Sequence, residues 1–158
     1  MSASLIHDLA PIGSIIAWSD GTPRPPERHR QKLAAWENRN SQGRLIRKRP
    51  KRDIGNIGLS ADFTLHEGDF GANGVITIRI HRTFSLDSDL NFKVIERPAI
   101  GAVHVFDRAG DNAELVHLAA DRPAAEEWLA RHGYPNAVLE EVTADDVAAD
   151  HIEGRAAA

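Results

Sequence analysis

The sequence has no cysteine, few aromatic residues and no long apolar run. Without cysteine the chain has no disulfide, no thiol nucleophile and no Cys-ligated zinc, a composition typical of reducing compartments. Aromatic residues make up 6% of the chain, so the core must be built mainly from Ile, Leu, Val and Ala. No stretch approaches the roughly 18 apolar residues that a membrane span requires, and no cationic segment precedes the first apolar residues as in a secretory signal. We therefore expect a cytoplasmic protein without a membrane partner.

Length and composition predict one globular domain. The chain has 158 residues, of which 42% are apolar and 27% charged, as in an ordinary soluble domain. We expect this domain over residues 1–150, with a flexible junction and sub-boundary at 53–58. Residues 151–158 are predicted to be a disordered tail. They include Ile-Glu-Gly-Arg, a protease-cleavage sequence used in recombinant expression, so the tail is either native or introduced.

Charge is distributed unevenly along the chain. Residues 23–53 hold eleven Lys and Arg against three Asp and Glu, a net charge of +8 in a chain whose total is −4. The remaining residues therefore sum to −12, and residues 107–158 alone carry −8. A positive segment on a negative body indicates two surfaces with different preferred partners.

Two main helices are predicted, over residues 25–40 and 122–132. In the first, Leu33 and Trp36 lie on one helical stripe, which we expect to dock on the core with Trp36 buried. In the second, Asp121 is the predicted N-cap.

The middle of the chain predicts β-strands. Apolar and polar residues alternate over residues 75–84, with Ile78 on the expected buried face. The glycine-rich residues 66–74 are predicted to be a loop. Links between the strands after residue 75 are too short for parallel crossovers. The predicted fold class is therefore α+β, a single domain with a mainly antiparallel β-sheet, a meander of about five to seven strands.

The basic segment is the main candidate binding surface, because polyanions are bound by several cations at phosphate spacing. Residues 44–52 are expected to start as an edge strand and continue as an exposed arm, since Pro50 and the charge density disfavour a central strand. Two alternatives stay open: the arm contacts a protein or the chain's own acidic part, or it is simply solvated. The predicted nucleic-acid-binding residues are Arg28, Lys32, Arg39, Arg44, Arg47, Lys48, Arg49, Lys51 and Arg52.

The acidic C-terminal part of the chain predicts a second surface. Such charge can engage a basic protein partner or imitate a phosphate backbone, although charge runs are often only solvated surface. The predicted protein-binding residues are Glu140, Glu141, Asp145 and Asp146.

No catalytic motif is visible in the sequence. The eight histidines do not occur at any close metal-ligand spacing, and no Gly-x-Ser-x-Gly or P-loop pattern is present, so we predict neither a metal nor a cofactor. The remaining enzymatic alternative is a small metal-dependent hydrolase or nuclease that uses His66, Asp69 or His81.

The leading hypothesis from the sequence is a binding protein rather than an enzyme. We expect a non-enzymatic bacterial or mobile-element accessory protein that binds nucleic acid or a nucleoprotein complex through a basic helix and arm. The alternative from another class is a protein-interaction module or inhibitor that uses the acidic C-terminal face. The sequence indicates no oligomeric state.

Overall fold

The computed structural model describes residues 1–72 and 75–148. Within these ranges the chain forms, in order, α1 (Ala3–Leu9), β1 (Ile15–Ser19), α2 (Arg30–Arg39), β2 (Ser41–Arg49), β3 (Arg52–Ile54), β4 (Ile57–Leu59), β5 (Asp62–Ala72), β6 (Val75–Ser85), β7 (Asn91–Glu96), β8 (Val103–Phe106), β9 (Leu115–Ala119), α3 (Arg122–Ala130) and β10 (Val138–Glu141). A last helical turn follows at residues 144–148. The predicted tail, residues 151–158, lies outside the described residues.

The strands form a large sheet, a small sheet and a separate hairpin. The large sheet has the order β6-β5-β2-β1-β7, the small sheet has the order β10-β8-β9, and β3 pairs with β4. Every described strand pair is antiparallel. The predicted α+β class with a mainly antiparallel sheet is confirmed. The strands do not follow one another as a simple meander, however, because β6 and β7 lie at opposite edges of the large sheet.

The large sheet curls around an aromatic core. Phe84 on β6 and Phe92 on β7 have ring centroids 5.2 Å apart, although their strands are the two edges of the sheet. Phe63 contacts both rings, and Trp18 packs on Phe84 at 5.2 Å. Helix α1 packs on this aromatic core, with Ile6 fully buried in the same cluster. Edge-to-face contacts of this kind add about 0.5–1.5 kcal/mol per pair beyond the burial itself.

The small sheet packs on the large one through β2. Ile46 of β2 forms a buried cluster with Phe106 and Leu115. Helix α3 covers the other side of the small sheet, where Ala125 is buried. Its N-terminus is the predicted one, because the Asp121 side chain accepts a hydrogen bond from the backbone of Ala124 at 2.9 Å.

The prediction that residues 44–52 form an edge strand and an exposed arm is wrong. They include most of β2, which is the central strand of the large sheet and pairs with β1 on one side and β5 on the other. Leu45 and Ile46 are buried and anchor the strand. Pro50, which lacks an N–H, follows the last residue of β2 and so interrupts none of its ladder bonds.

The prediction of a loop at residues 66–74 is also wrong for its described part. β5 continues to Ala72, and its glycines coincide with register shifts between His66 and Gly68 and between Phe70 and Gly71. Such β-bulges accept glycine and bend the strand without ending it. Residues 73 and 74 lie outside the described residues.

Strand β6 is present as predicted. The face that alternation predicts to be buried, however, is not buried along its whole length. Ile78 is 58% exposed. The reason is that β5 pairs with β2 only over residues 62–66, so the far part of the β5–β6 hairpin extends beyond the neighbouring strand.

Helix α2 is present within the predicted range, but its docking is not as expected. It starts at Arg30, after the prolines, and none of its residues is buried. Trp36 is half-buried, whereas Trp18 is the tryptophan of the core. The prediction that Trp36 belongs to the core is therefore wrong.

Candidate nucleic-acid interface and histidine groove

Three arginines of residues 44–52 form ion pairs within the chain. Arg49 binds the Asp62 carboxylate in a bidentate manner, at 2.9 and 3.0 Å, and Arg52 lies 3.6 Å from the same group. Arg47 binds Glu114, at the start of the small sheet, at 3.0 Å. The three positive charges are thus offset in part, by two carboxylates of the chain itself.

Two further cations of the segment also face the protein. Arg44 donates from Nη1 to the backbone carbonyl of Gly13 at 2.6 Å. Lys48 lines a cleft together with acidic residues of the C-terminal part. Arg47 and Lys48 thus lie beside acidic residues of the C-terminal part, whereas the counter-charge of Arg49 and Arg52 is Asp62, outside that part.

The exposed cations lie on α2 and just before it. Arg28, Arg30 and Lys32 are exposed and line one shallow surface. In the part of the chain that the structure describes, none of the three comes within ion-pair distance of a carboxylate. Lys51 is also exposed. Arg39, at the end of the helix, is half exposed and lies 3.3 Å from Asp20.

Hydrogen bonds fix α2 to the sheet at its C-terminal end. Trp36 donates its indole N–H to the carbonyl of Thr22 at 3.0 Å, and Trp18 donates to the carbonyl of Asn38 at 3.3 Å. The Asn38 side chain accepts a bond from Arg82 of β6 at 2.9 Å. The helix is thus held by polar contacts rather than by a buried apolar face.

Asp20 holds the turn before α2. Hydrogen bonds from the hydroxyl and the backbone N–H of Thr22, and then from Asn40, lower the pKa of Asp20 to about 2. The carboxylate therefore stays charged at neutral pH and remains a partner for Arg39.

The four predicted acidic residues lie on one cleft. Its volume is about 390 Å³, and Lys48 and His104 also line it. The acidic members are Asp8, Glu140, Glu141, Asp145 and Asp146. A backbone hydrogen bond from Thr143 lowers the pKa of Asp146, and burial lowers the pKa of His104, whose Nε2 lies 2.6 Å from the carbonyl oxygen of Ile12.

A second cavity, the histidine groove, lies between the two sheets. It measures about 290 Å³ and is lined by Arg44, Ile46 and His66 of the large sheet and by residues 115–118 of β9. Arg44 and His66 are directly paired on β2 and β5, so both project from the same face of the large sheet. His117 on β9 pairs with Val105, which packs against α3, so its ring lies on the α3 side of the small sheet.

The structure brings together the three residues of the predicted hydrolase alternative. His66 Nε2 lies 2.6 Å from Asp69 Oδ1, and the rings of His66 and His81 meet edge-to-face at 5.5 Å. His81 Nε2 lies 3.8 Å from Glu114 Oε1. Among the described residues, no three His, Asp or Glu side chains are arranged so that they could hold a metal ion.

His117 was not expected from the sequence, and it is part of an aromatic stack. Its ring lies parallel to Trp128 at 4.6 Å, and His132 also stacks on Trp128, at 3.9 Å. Burial, and secondarily the nearby His132, lowers the pKa of His117. No sequence signal marks this stack, because it depends on how α3 packs on β9.

The chain is thus a small α+β protein built on a curled antiparallel sheet. The chain belongs to the family described as uncharacterised conserved protein UCP036055, whose model matches residues 1–146. No curated protein and no solved structure matches the chain. Over the ranges given above for the structure, no helix is long and apolar enough to cross a membrane.

Proposed function

We propose that this protein binds nucleic acid or a nucleoprotein complex through α2 and the loop before it. The observation that supports the proposal is a helix without a buried residue that exposes Arg30 and Lys32, with Arg28 exposed just before it. A helix whose side chains are not used in the chain's own core is available to contact a partner. Its cations match the phosphates of a polyanion.

The structure alters which of the predicted cations are proposed to bind. Arg28 and Lys32 remain, and Arg30 joins them. Arg44, Arg47, Arg49 and Arg52 are engaged within the chain and are not proposed as contacts. Because hydrogen bonds already fix the end of α2, less conformational entropy is lost when it binds.

The proposal is tested by titrating the protein into labelled RNA and DNA, single- and double-stranded, at several salt concentrations. Three phosphate contacts predict a slope of about −3 in log K against log salt on duplex. Replacing Arg28, Arg30 and Lys32 together by Ser should weaken binding at least about tenfold and flatten the slope.

The matched control replaces Arg108, Arg122 and Arg131 by Ser. These arginines are also exposed and lie elsewhere on the chain, and replacing three of them changes the net charge by the same amount. Absence of binding at low salt, or an equal loss in both triple variants, would show that α2 is not the interface.

A second candidate function is supported by the acidic cleft. Carboxylates from three separate parts of the chain line it, which suits a basic side chain or peptide. Changing Glu140 and Glu141 to Gln and Asp145 to Asn should abolish binding of a labelled Lys/Arg-rich peptide. The same changes at Glu126, Glu127 and Asp111, which line neither cavity, should leave it intact. Unchanged peptide affinity in the cleft variant would exclude this function.

The setting of either function remains that suggested by the sequence. A bacterial cytoplasm, with a role as an accessory to a nucleic-acid-processing assembly, is part of the proposal. It is supported by the cysteine-free composition and the predominance of Arg over Lys.

A further inference from the structure

We propose that the histidine groove binds a small ligand with one carboxylate and an apolar body, and that Arg44 is the contact to the carboxylate. The groove and the exposed surface of α2 share no lining residue, so this site is separate from the proposed nucleic-acid interface. It requires no catalytic role and no particular protonation state of a histidine.

Arg44 differs from the other arginines of β2 in what it contacts. Arg47 and Arg49 each pair with a carboxylate of the chain. Arg44, which is half-buried, donates from Nη1 to the backbone carbonyl of Gly13 at 2.6 Å. Among the residues that the structure describes, no carboxylate lies within ion-pair distance of Arg44. Because a charge withdrawn from water is costly without a counter-charge, this guanidinium is suited to an anion supplied by a ligand.

The charged end of Arg44 lies at the wall of the groove. Its bond to Gly13 fixes the guanidinium beside that residue. A Cβ added at Gly13 would stand 3.5 Å from Leu118, which lines the groove together with Arg44. A guanidinium has five N–H donors. Within the described part of the chain, the bond to Gly13 is the one side-chain hydrogen bond of Arg44, so donors remain for a ligand.

The other walls of the groove suit an apolar body. Ile46 lines it from β2, and Leu115 and Leu118 line it from β9. Its volume of about 290 Å³ is at the small end of ligand pockets, which are mostly apolar with a few placed polar groups. The groove thus combines one cationic contact with an aliphatic wall.

The charges at the groove favour a carboxylate over a phosphate. A carboxylate is planar and carries one negative charge, so it matches the fork of a single guanidinium in a bidentate pair. A phosphate monoester carries about −1.5 to −2 at neutral pH and needs more positive charge than one arginine supplies. His66, paired with Arg44 across β2 and β5, lies 2.6 Å from the Asp69 carboxylate, whose negative charge disfavours a second charge on the ligand.

The test titrates the full chain with hexanoate and three matched probes, followed by two-dimensional NMR spectra. Hexanamide has the same shape without the charge, acetate has the charge without the apolar body, and hexyl phosphate replaces the carboxylate by a phosphate. We expect hexanoate to shift the signals of residues 44–46 and 115–118 in a saturable way, with a dissociation constant of about 1 mM or lower. Each of the other three probes should bind at least about tenfold more weakly.

Variants of Arg44 separate the contact from a general effect of charge. Arg44→Gln should weaken hexanoate binding at least about tenfold, because a neutral amide does not replace a charge-assisted pair. Arg44→Lys keeps the charge but not the fork and should give a smaller loss. The matched control is Arg108→Gln, which removes an exposed arginine that does not line the groove and should leave the affinity unchanged. The spectrum of each variant checks that it is folded.

Four results would overturn the inference. They are no saturable shift of the groove signals with hexanoate, equal affinity for hexanoate and hexanamide, tighter binding of hexyl phosphate, or unchanged affinity in a folded Arg44→Gln variant. The probe series on the wild-type chain decides the matter even where Arg44→Gln does not fold. The outcome is distinguishable from that of the proposed function, because the α2 variant keeps Arg44 and the Arg44 variants keep the cations of α2.

Discussion

Replacing Asp62 by Ala is the sharpest test of the finding that the basic segment is part of the sheet. The Asp62 carboxylate accepts two hydrogen bonds from Arg49, at 2.9 and 3.0 Å, and lies 3.6 Å from Arg52. Its side chain is only 12% exposed, and Nη1 of Arg52 is buried without another partner. Removing the carboxylate therefore leaves two partly buried guanidinium groups without their counter-charge.

The expected loss of stability follows from these contacts. Breaking a fully buried ion pair by removing one partner costs about 3–5 kcal/mol, and each hydrogen bond to a charged group contributes about 1.5–3 kcal/mol. Because Arg49 and Arg52 keep about a quarter of their exposure, we expect the low end, about 3 kcal/mol. Against a typical unfolding free energy of about 5–15 kcal/mol, this is a large fraction.

The measurement is urea unfolding followed by tryptophan fluorescence, with a double-mutant cycle that combines Asp62→Ala and Arg49→Ala. We expect a coupling energy of at least about 1 kcal/mol between the two sites. Lys51→Ala, an exposed neighbour, should change stability by less than about 0.5 kcal/mol. A loss below about 1 kcal/mol for Asp62→Ala, together with no coupling, would refute the reasoning and restore an exposed arm.

Three further predictions concern the core, a close backbone approach and pH. Trp18→Ala should cost about 3–5 kcal/mol and Trp36→Ala much less in thermal or urea unfolding, because only Trp18 is in the buried cluster; equal losses would contradict this. Gly43→Ala should destabilise by about 1–3 kcal/mol, since its Cβ would stand 2.8 Å from a backbone carbonyl of β5, whereas Gly68→Ala meets nothing within 4 Å and should be well tolerated. Burial lowers the pKa of His104 below 6.5, so the unfolded chain takes up its proton first as pH falls. The free energy of unfolding should therefore decrease below about pH 6.5, and less steeply in His104→Gln; identical slopes would mean that His104 is not the cause.

Helix α3 could be predicted from the sequence because its signals are local. Asp121 caps the first turn and Pro123 suits its start, so the helix is specified by residues within one turn of its N-terminus. The alternation over β6 specified a strand for the same reason. What alternation could not specify is that part of β6 extends past its neighbours and leaves Ile78 exposed.

The place of β2 could not be predicted, because it depends on partners distant in the sequence. Arg47 and Arg49 read as solvent-facing charges until Glu114 and Asp62 are brought beside them. The local charge density indicates an edge strand. Only the tertiary structure shows that carboxylates distant in the sequence pair with these arginines. The groove is similar: His66 could be singled out, but its place opposite β9 depends on the packing of two sheets.

The pairing of β1 with β7 also sets the order in which the protein can fold. The ammonium group of Met1 donates to the carbonyl of Phe92, a contact across 91 residues. During synthesis, the edge of β1 that faces β7 stays unpaired until β7, which ends at Glu96, has been made. Such non-local pairing raises the contact order and slows folding. It also prolongs the exposure of an unpaired, aggregation-prone strand edge.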